Sequence, residues 1–206
     1  MASHVELAFE STRSVTREEF AAWLATRPRT DCNHYELLRG RVVMTPPAGY
    51  PHGLVEGAVS RVLAPFVHER GLGVLMGSSQ GFELPSGDTV EPDVSVVLAE
   101  RWAAARPEVG AFLRVVPDLI VEILSPSTAP RDRGEKRDIY EQNGVREYWI
   151  IDPRQRQLTV FTLVESAFDA GVVYATSDAS RSALLPDLTI DVAALFPPEP
   201  AAPPAG

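Results

Sequence analysis

The chain has 206 residues, 45% of them hydrophobic and 23% charged, with 18 prolines, 14 glycines and one cysteine. That is enough apolar material for one domain with a sizeable core, and it excludes a disulfide scaffold, a collagen-like repeat and an acidic disordered chain. The net charge is -9, so the surface as a whole repels polyanions and any nucleic-acid contact must be local. Lysine and arginine together number 19, and only Lys136 is lysine.

Met1 to Ser14 is polar, with neither a basic leader nor an apolar stretch, and no apolar run approaches the ~18 residues of a membrane span. A soluble cytoplasmic protein with no membrane partner is expected. Thr16-Arg17-Glu18-Glu19 is a capping-box start for a helix carrying Phe20, Trp23 and Leu24, ending before Pro28. Tyr35 to Leu38 and Arg41 to Met44 flank Arg39-Gly40 and predict a β-hairpin. From Pro51 to about Arg70, apolar residues at three- and four-residue steps predict a long amphipathic helix, with Pro65 as a kink or early end.

Strand patterns follow at Gly73 to Met76, Gln80 to Leu84 and Val90 to Leu98, the last two joined by the turn Pro85-Ser86-Gly87-Asp88. Leu119 to Leu124 is almost continuously apolar, as in a central strand covered on both faces, except for Glu122. Asp132 and Glu135 form a second capping-box pattern for a helix carrying Lys136, Ile139 and Tyr140, closed by Gly144. Strands Glu147 to Ile151 and Leu158 to Leu163 come next. Residues 1-196 are expected to form a single domain, with 197-206 a disordered Pro/Ala-rich tail.

Cys32 has no second cysteine to pair with, and its neighbour His34 lacks the further ligands of a zinc site. Asp93, Glu122 and Lys136 stand out instead. Two carboxylates and an ammonium are the parts needed for divalent-metal phosphodiester hydrolysis, because Mg²⁺ takes one or two carboxylates plus water and phosphate. A nearby ammonium orients the attacking water or steadies the developing charge. Acids on apolar strands cost several kcal/mol to desolvate unless a cation compensates. The structural alternative is that Asp93 caps a turn after Pro92 and Glu122 pairs with an arginine such as Arg146. Asp118 lies four residues before Glu122, roughly 13 Å along one strand, too far to share an ion.

Tyr35-Glu36-Leu37 with Gly40, Pro51-His52, Pro92-Asp93-Val94-Ser95-Val96-Val97, Val121-Glu122-Ile123-Leu124-Ser125-Pro126-Ser127-Thr128, then Asp132, Lys136, Tyr140 and Val145 to Pro153 together resemble the Uma two family of restriction-endonuclease-like proteins. The resemblance covers about residues 16 to 163. Through that family it reaches the PD-(D/E)XK nuclease superfamily, and it implies an α/β (α+β) fold: a mixed four- to five-stranded core sheet flanked by helices, with an N-terminal helix and hairpin. It also implies Mg²⁺, or Mn²⁺ in its place, held by Asp93, Glu122 and the carbonyl of Ile123. The superfamily's lysine would fall at position 124, which is leucine here, and Lys136 on the following helix is the matching residue.

Glu36 and His52 are candidates for the shell behind the ligands, against readings as a hairpin surface charge and a structural helix-start histidine. Arg131, Arg133 and Arg137 around Lys136 could contact phosphates, or simply pair with Asp132, Glu135 and Asp138. Gly77-Ser78-Ser79-Gln80-Gly81 matches a nucleophile elbow, but all four histidines precede Ser79 and a strand pattern follows, so the esterase order fails. Exposed aromatics and edge strands after Tyr148 would suit a homodimer. Two functions remain: a Mg²⁺-dependent DNA endonuclease, and an oligomeric nucleic-acid-binding or regulatory protein on the same scaffold.

Overall fold

A computed structural model describes residues 9–28 and 30–198. Residues 1–8 and most of the Pro/Ala-rich tail expected at 197–206 lie outside the described residues.

The N-terminal part builds a five-stranded antiparallel sheet. A short β1 (Phe9–Glu10) precedes α1 (Arg17–Leu24), whose capping box forms as expected: Thr16 Oγ1 accepts from the Glu19 amide and the Thr16 amide donates to Glu19 at 2.8 Å. The hairpin β2 (His34–Leu38) and β3 (Arg41–Thr45) turns on Arg39 and Gly40, both at positive φ. Next, α2 (His52–Glu69) leads to β4 (Gly73–Gly77), then β5 (Phe82–Glu83) and β6 (Thr89–Val90). Strand order in this sheet is β1-β3-β2-β6-β5.

Two expectations change here. Pro65 neither ends nor splits α2, although an interior proline costs about 3 kcal/mol, because Val55, Val59, Leu63 and Val67 are fully buried along one face. The strand expected from Val90 to Leu98 is broken: β6 stays in the first sheet and β7 (Val94–Leu98) enters a second. Pro92 has no N–H to give a ladder, so Glu91-Pro92-Asp93 becomes the crossing between the sheets.

The second sheet has seven strands, larger than the four or five expected. After α3 (Ala99–Ala104), β8 (Leu119–Ile123) pairs antiparallel with β7. A continuous helical segment then runs through α4 (Ala129–Arg131), a π-helical turn (Asp132–Lys136) and α5 (Arg137–Gln142), closed by Gly144 at φ 75°. Asp132 therefore lies inside the helix and not at its cap. The cap moves four residues upstream, to Thr128, because Pro130 fits the first turn and Ser125 Oγ accepts from the Thr128 amide. Next, β9 (Glu147–Asp152) returns parallel to β8, as a helical crossover requires. The sheet is extended by β10 (Gln157–Val164), β11 (Ala167–Phe168) and β12 (Val172–Ala175).

All five residues of β8 are buried, and their alternation sorts the core. Leu119, Val121 and Ile123 face α2, while Ile120 and Leu124 face α5 and the first sheet. The ribbon β13 (Ala179–Arg181) and β14 (Thr189–Asp191) and a 3-10 turn (Val192–Leu195) close the α2 side, burying Leu185, Ile190, Leu195 and Phe196. The aromatics expected to be exposed are not: Tyr148, Trp149 and Phe168 are buried, Tyr148 edge-on to Tyr140. The apolar residues left exposed in this region are Val164, Val172 and Val173. Among the described residues no helix is long and apolar enough to cross a membrane.

Candidate active site

Side-chain alternation turns Glu122 into the space between β8, α5 and the first sheet. The β7–β8 register pairs Val94 with Val121, and one step further sets Asp93 opposite Glu122. Asp93 is fixed there by its Oδ2, which accepts from the Ile123 amide at 2.7 Å and lies 3.2 Å from His52 Nε2 at the start of α2. Asp118 is elsewhere: its buried carboxylate faces Arg101 at 3.3 Å and Arg146 at 3.6 Å, so Arg146 serves Asp118 and not Glu122.

The cation beside Glu122 is Lys136. Its Nζ lies 2.6 Å from Glu122 Oε1 and 2.9 Å from Glu36 Oε1, with all three side chains nearly inaccessible to solvent. Glu36 also accepts from the Glu91 amide at 2.9 Å, which ties the sheet-crossing segment to the same group. Tyr140 donates its phenol to Glu122 Oε1 at 2.6 Å. Both bonds to Glu122 thus fall on one oxygen.

Burial drives the Glu122 carboxyl well above its ordinary range, against the pull of Lys136 and helped by Asp132, Asp93 and Glu36. Burial would lower Lys136, yet Glu122, Glu36 and Asp132 outweigh it and hold the ammonium well above its usual range. Burial likewise works against the charged form of His52, and the Asp93 bond, the Asp93 and Glu56 charges and the Ile123 backbone raise it overall. Asp132 is pushed up to about 6, chiefly by burial.

These groups sit on a cleft of about 610 Å³, bounded also by residues 45–49, Ser78, Ser125 to Thr128 and Arg131. An adjoining hollow holds Pro130, Arg133 and Asp152, and Arg154 lies on the wall of both. Arg131 faces Glu10 at 3.8 Å and Arg133 bonds Asp152 at 2.9 Å. Arg137 points elsewhere, its guanidinium over Phe161 and Phe168. Cys32 is a free, exposed thiol, while His34 bonds Glu91 at 2.8 Å. Ser78 donates to Glu56 at 3.0 Å.

The structure therefore brings together Asp93, Glu122, Ile123, Lys136, Glu36 and His52 and leaves Arg137 out. It adds Asp132, Tyr140 and Arg154, to which sequence reasoning gave no part in the site. The i, i+4 spacing of Asp132, Lys136 and Tyr140 was the available signal for the first two; Arg154 had none. Among the described residues no three His, Cys, Asp or Glu side chains converge as a ready metal cage. Two carboxylates and a carbonyl would suit Mg²⁺, because that ion keeps several of its waters.

Asp93, Glu122 and a buried lysine thus meet beside a central strand of a mixed sheet. The family model Uma2, described as "Putative restriction endonuclease", matches residues 17–193, and the chain belongs to that family. Among solved structures it is similar to "a putative nuclease belonging to DUF820" from Anabaena variabilis ATCC 29413, with a TM-score of 0.71 and 18% identity, over 88% of this chain and 97% of that one. No curated protein matches.

Proposed function

We propose that the protein is a Mg²⁺-dependent endonuclease that hydrolyses phosphodiester bonds in DNA, acting in the cytoplasm as a homodimer. The observation that carries this reading is the placement of Asp93, just before β7 and bonded to the Ile123 amide, beside Glu122 of β8, with Lys136 Nζ 2.6 Å from Glu122, on the wall of an open cleft. Asp93, Glu122 and the Ile123 carbonyl would hold the ion. When bound, such an ion neutralises phosphate charge and lowers the pKa of its water.

The chain's own residues do the rest. Lys136 stays an ammonium, so it donates and does not abstract: it fixes Glu122 and lends positive charge to the developing phosphorane, while orienting the attacking water. Tyr140 and Lys136 together hold one Glu122 oxygen and leave the other for the ion. His52 and the Ile123 amide lock Asp93. Arg131, Arg133 and Arg154 line the two hollows, where phosphates of the strand would lie.

Plasmid DNA incubated with Mg²⁺ or Mn²⁺ tests the reading. Wild type should nick and linearise it, and Glu122→Ala and Lys136→Arg should lower the rate by roughly 100-fold or more, the usual scale for a charge-stabilising group. An inactive wild type, or an undiminished Glu122→Ala, overturns it. Tight metal-independent binding without cleavage would favour the regulatory alternative. Sedimentation of the free protein reads the dimer.

A further inference from the structure

The charged groups of the site sit deep. Glu122, Lys136 and Glu36 are 4%, 3% and 6% exposed, so a phosphate that is to reach them must come down into the cleft. The adjoining hollow has the same volume, about 610 Å³, and Ser125, Pro126 and Arg154 line both. Two hollows that share a wall offer a strand a continuous course.

Arg154 stands where they meet. It follows β9, whose parallel pairing sets Ile150 beside Glu122, so the turn after β9 opens at the same end of the sheet as the loop after β8. Asp152 Oδ1 accepts from the amides of Arg154 and Gln155 at 2.9 and 3.0 Å, which fixes that turn. Four permanent cations line the two hollows, and three are engaged: Lys136 with Glu122 and Glu36, Arg133 with Asp152, and Arg131 with Glu10. Arg154 is exposed, and its guanidinium makes no ion pair among the described residues.

We propose that the cleft takes an unpaired DNA strand in preference to a duplex, with Arg154 holding a phosphate that neighbours the scissile one; for the scissile step this rests on the nuclease reading above. A duplex stays straight over about 150 base pairs and carries its partner strand with it, so it lies across the rim and does not turn down to groups that solvent scarcely touches. A single strand bends at every nucleotide. Proteins that hold a duplex by its backbone also neutralise on the order of 6–10 phosphates, whereas Arg154 is the single unengaged permanent cation here, among six carboxyl groups. The walls suit a strand without a partner. Pro46, Pro47 and Pro126 give apolar surface for unstacked bases, and the Ser127 hydroxyl can donate to the backbone. Supercoiled plasmid remains a substrate through the unpaired segments that negative supercoiling opens.

One short sequence, offered as a fluorescein-labelled single strand and as its linear blunt duplex, tests this. Anisotropy in Mn²⁺, read before product appears on a gel, should show the single strand bound at least about tenfold more tightly, and it should be cut at least about tenfold faster. Arg154→Ala should weaken the single strand roughly tenfold, the scale of one contact to a charged group, and flatten its slope of log K against log salt by about 0.7. Arg154→Lys should keep the slope, because the charge remains. A duplex bound as tightly and cut as fast as the strand, or an unchanged slope in Arg154→Ala, overturns the inference and leaves the nuclease reading intact. Preferential binding of the strand with no cleavage of either form overturns the nuclease reading and leaves the strand preference standing. A protein that binds neither form and cuts neither overturns both.

Discussion

Lys136 holds two carboxylates at once, and in a chain with 18 arginines it is the only lysine. Removing one partner from a buried ionic group leaves the others uncompensated, at a cost of about 3–5 kcal/mol. Lys136→Met should therefore unfold at markedly lower urea. The loss should shrink on acidification, because Glu122, already displaced upward by burial, then protonates and needs no counter-charge. Urea melts at pH 5 and pH 8 check this, and an equal loss at both contradicts it. Asp132 gives a second residue-scale prediction. Its folded value of about 6 exceeds the ordinary 3.8, so it favours the fold below pH 4, and that contribution is lost as pH rises through 6. Asp132→Asn should gain on wild type in stability between pH 4 and 7, read by melting temperature; a constant difference would refute it. Asp93 and Glu122 could be picked from the sequence because acids within apolar strand patterns need a reason, and Lys136 because it is the single lysine on the helix that follows. Arg137 could not be judged, because whether an arginine meets phosphate or a phenyl ring depends on tertiary packing.

The elements were legible wherever local chemistry decided them. Arg39-Gly40 set a hairpin, and apolar spacing set α2. The break between β6 and β7 was hidden because both flanks read as strand, and only the pairing partners differ. The π-turn was hidden more deeply. In an α-helix four residues overshoot a full turn by about 40°, so Asp132, Lys136 and Tyr140 would fan over about 80°. Bonding from i to i+5 takes an extra residue into one turn and removes part of that drift. Sequence periodicity cannot show this. Gly134 sits inside the turn with open space where a Cβ would go. Gly134→Ala should therefore stabilise the protein by about 0.4–1 kcal/mol through the unfolded chain. A urea titration reads it, and destabilisation would mean the turn needs glycine.

At the scale of the molecule, Glu36 comes from the first sheet, Glu122 from the second and Lys136 from the helix between them, so the site also fastens the two sheets. Six carboxyl groups line the cleft, Glu36, Glu56, Glu91, Asp93, Glu122 and Asp132, against the permanent cations Arg131, Lys136 and Arg154. Such a cleft repels phosphate until a cation enters. A divalent ion that binds only the folded state stabilises it by about 2.7 kcal/mol at a hundred times its Kd. Mn²⁺ should raise the melting temperature of wild type and leave an Asp93→Asn, Glu122→Gln double variant unmoved. An equal rise in both would place the ion elsewhere. Sequence could not foresee this coupling, because Glu36 and Glu122 are 86 positions apart and meet only when the sheets close.

The closing ribbon has a consequence for biosynthesis. Leu185, Leu188, Ile190, Val192, Leu195 and Phe196 belong to the same core as Val55, Val59, Leu63 and Val67 of α2. The buried Glu147 carboxylate pins the start of that segment, accepting from Ser182 Oγ and the amides of Ala183 and Leu184 at 2.7, 2.7 and 3.1 Å. On the ribosome the side of this core that α2 shares with the ribbon therefore stays wetted until partners made more than 100 residues later arrive. Nascent chains halted before residue 182 should be ready clients for chaperones that hold exposed apolar surface, and release from that state should come only once residue 196 has left the exit tunnel.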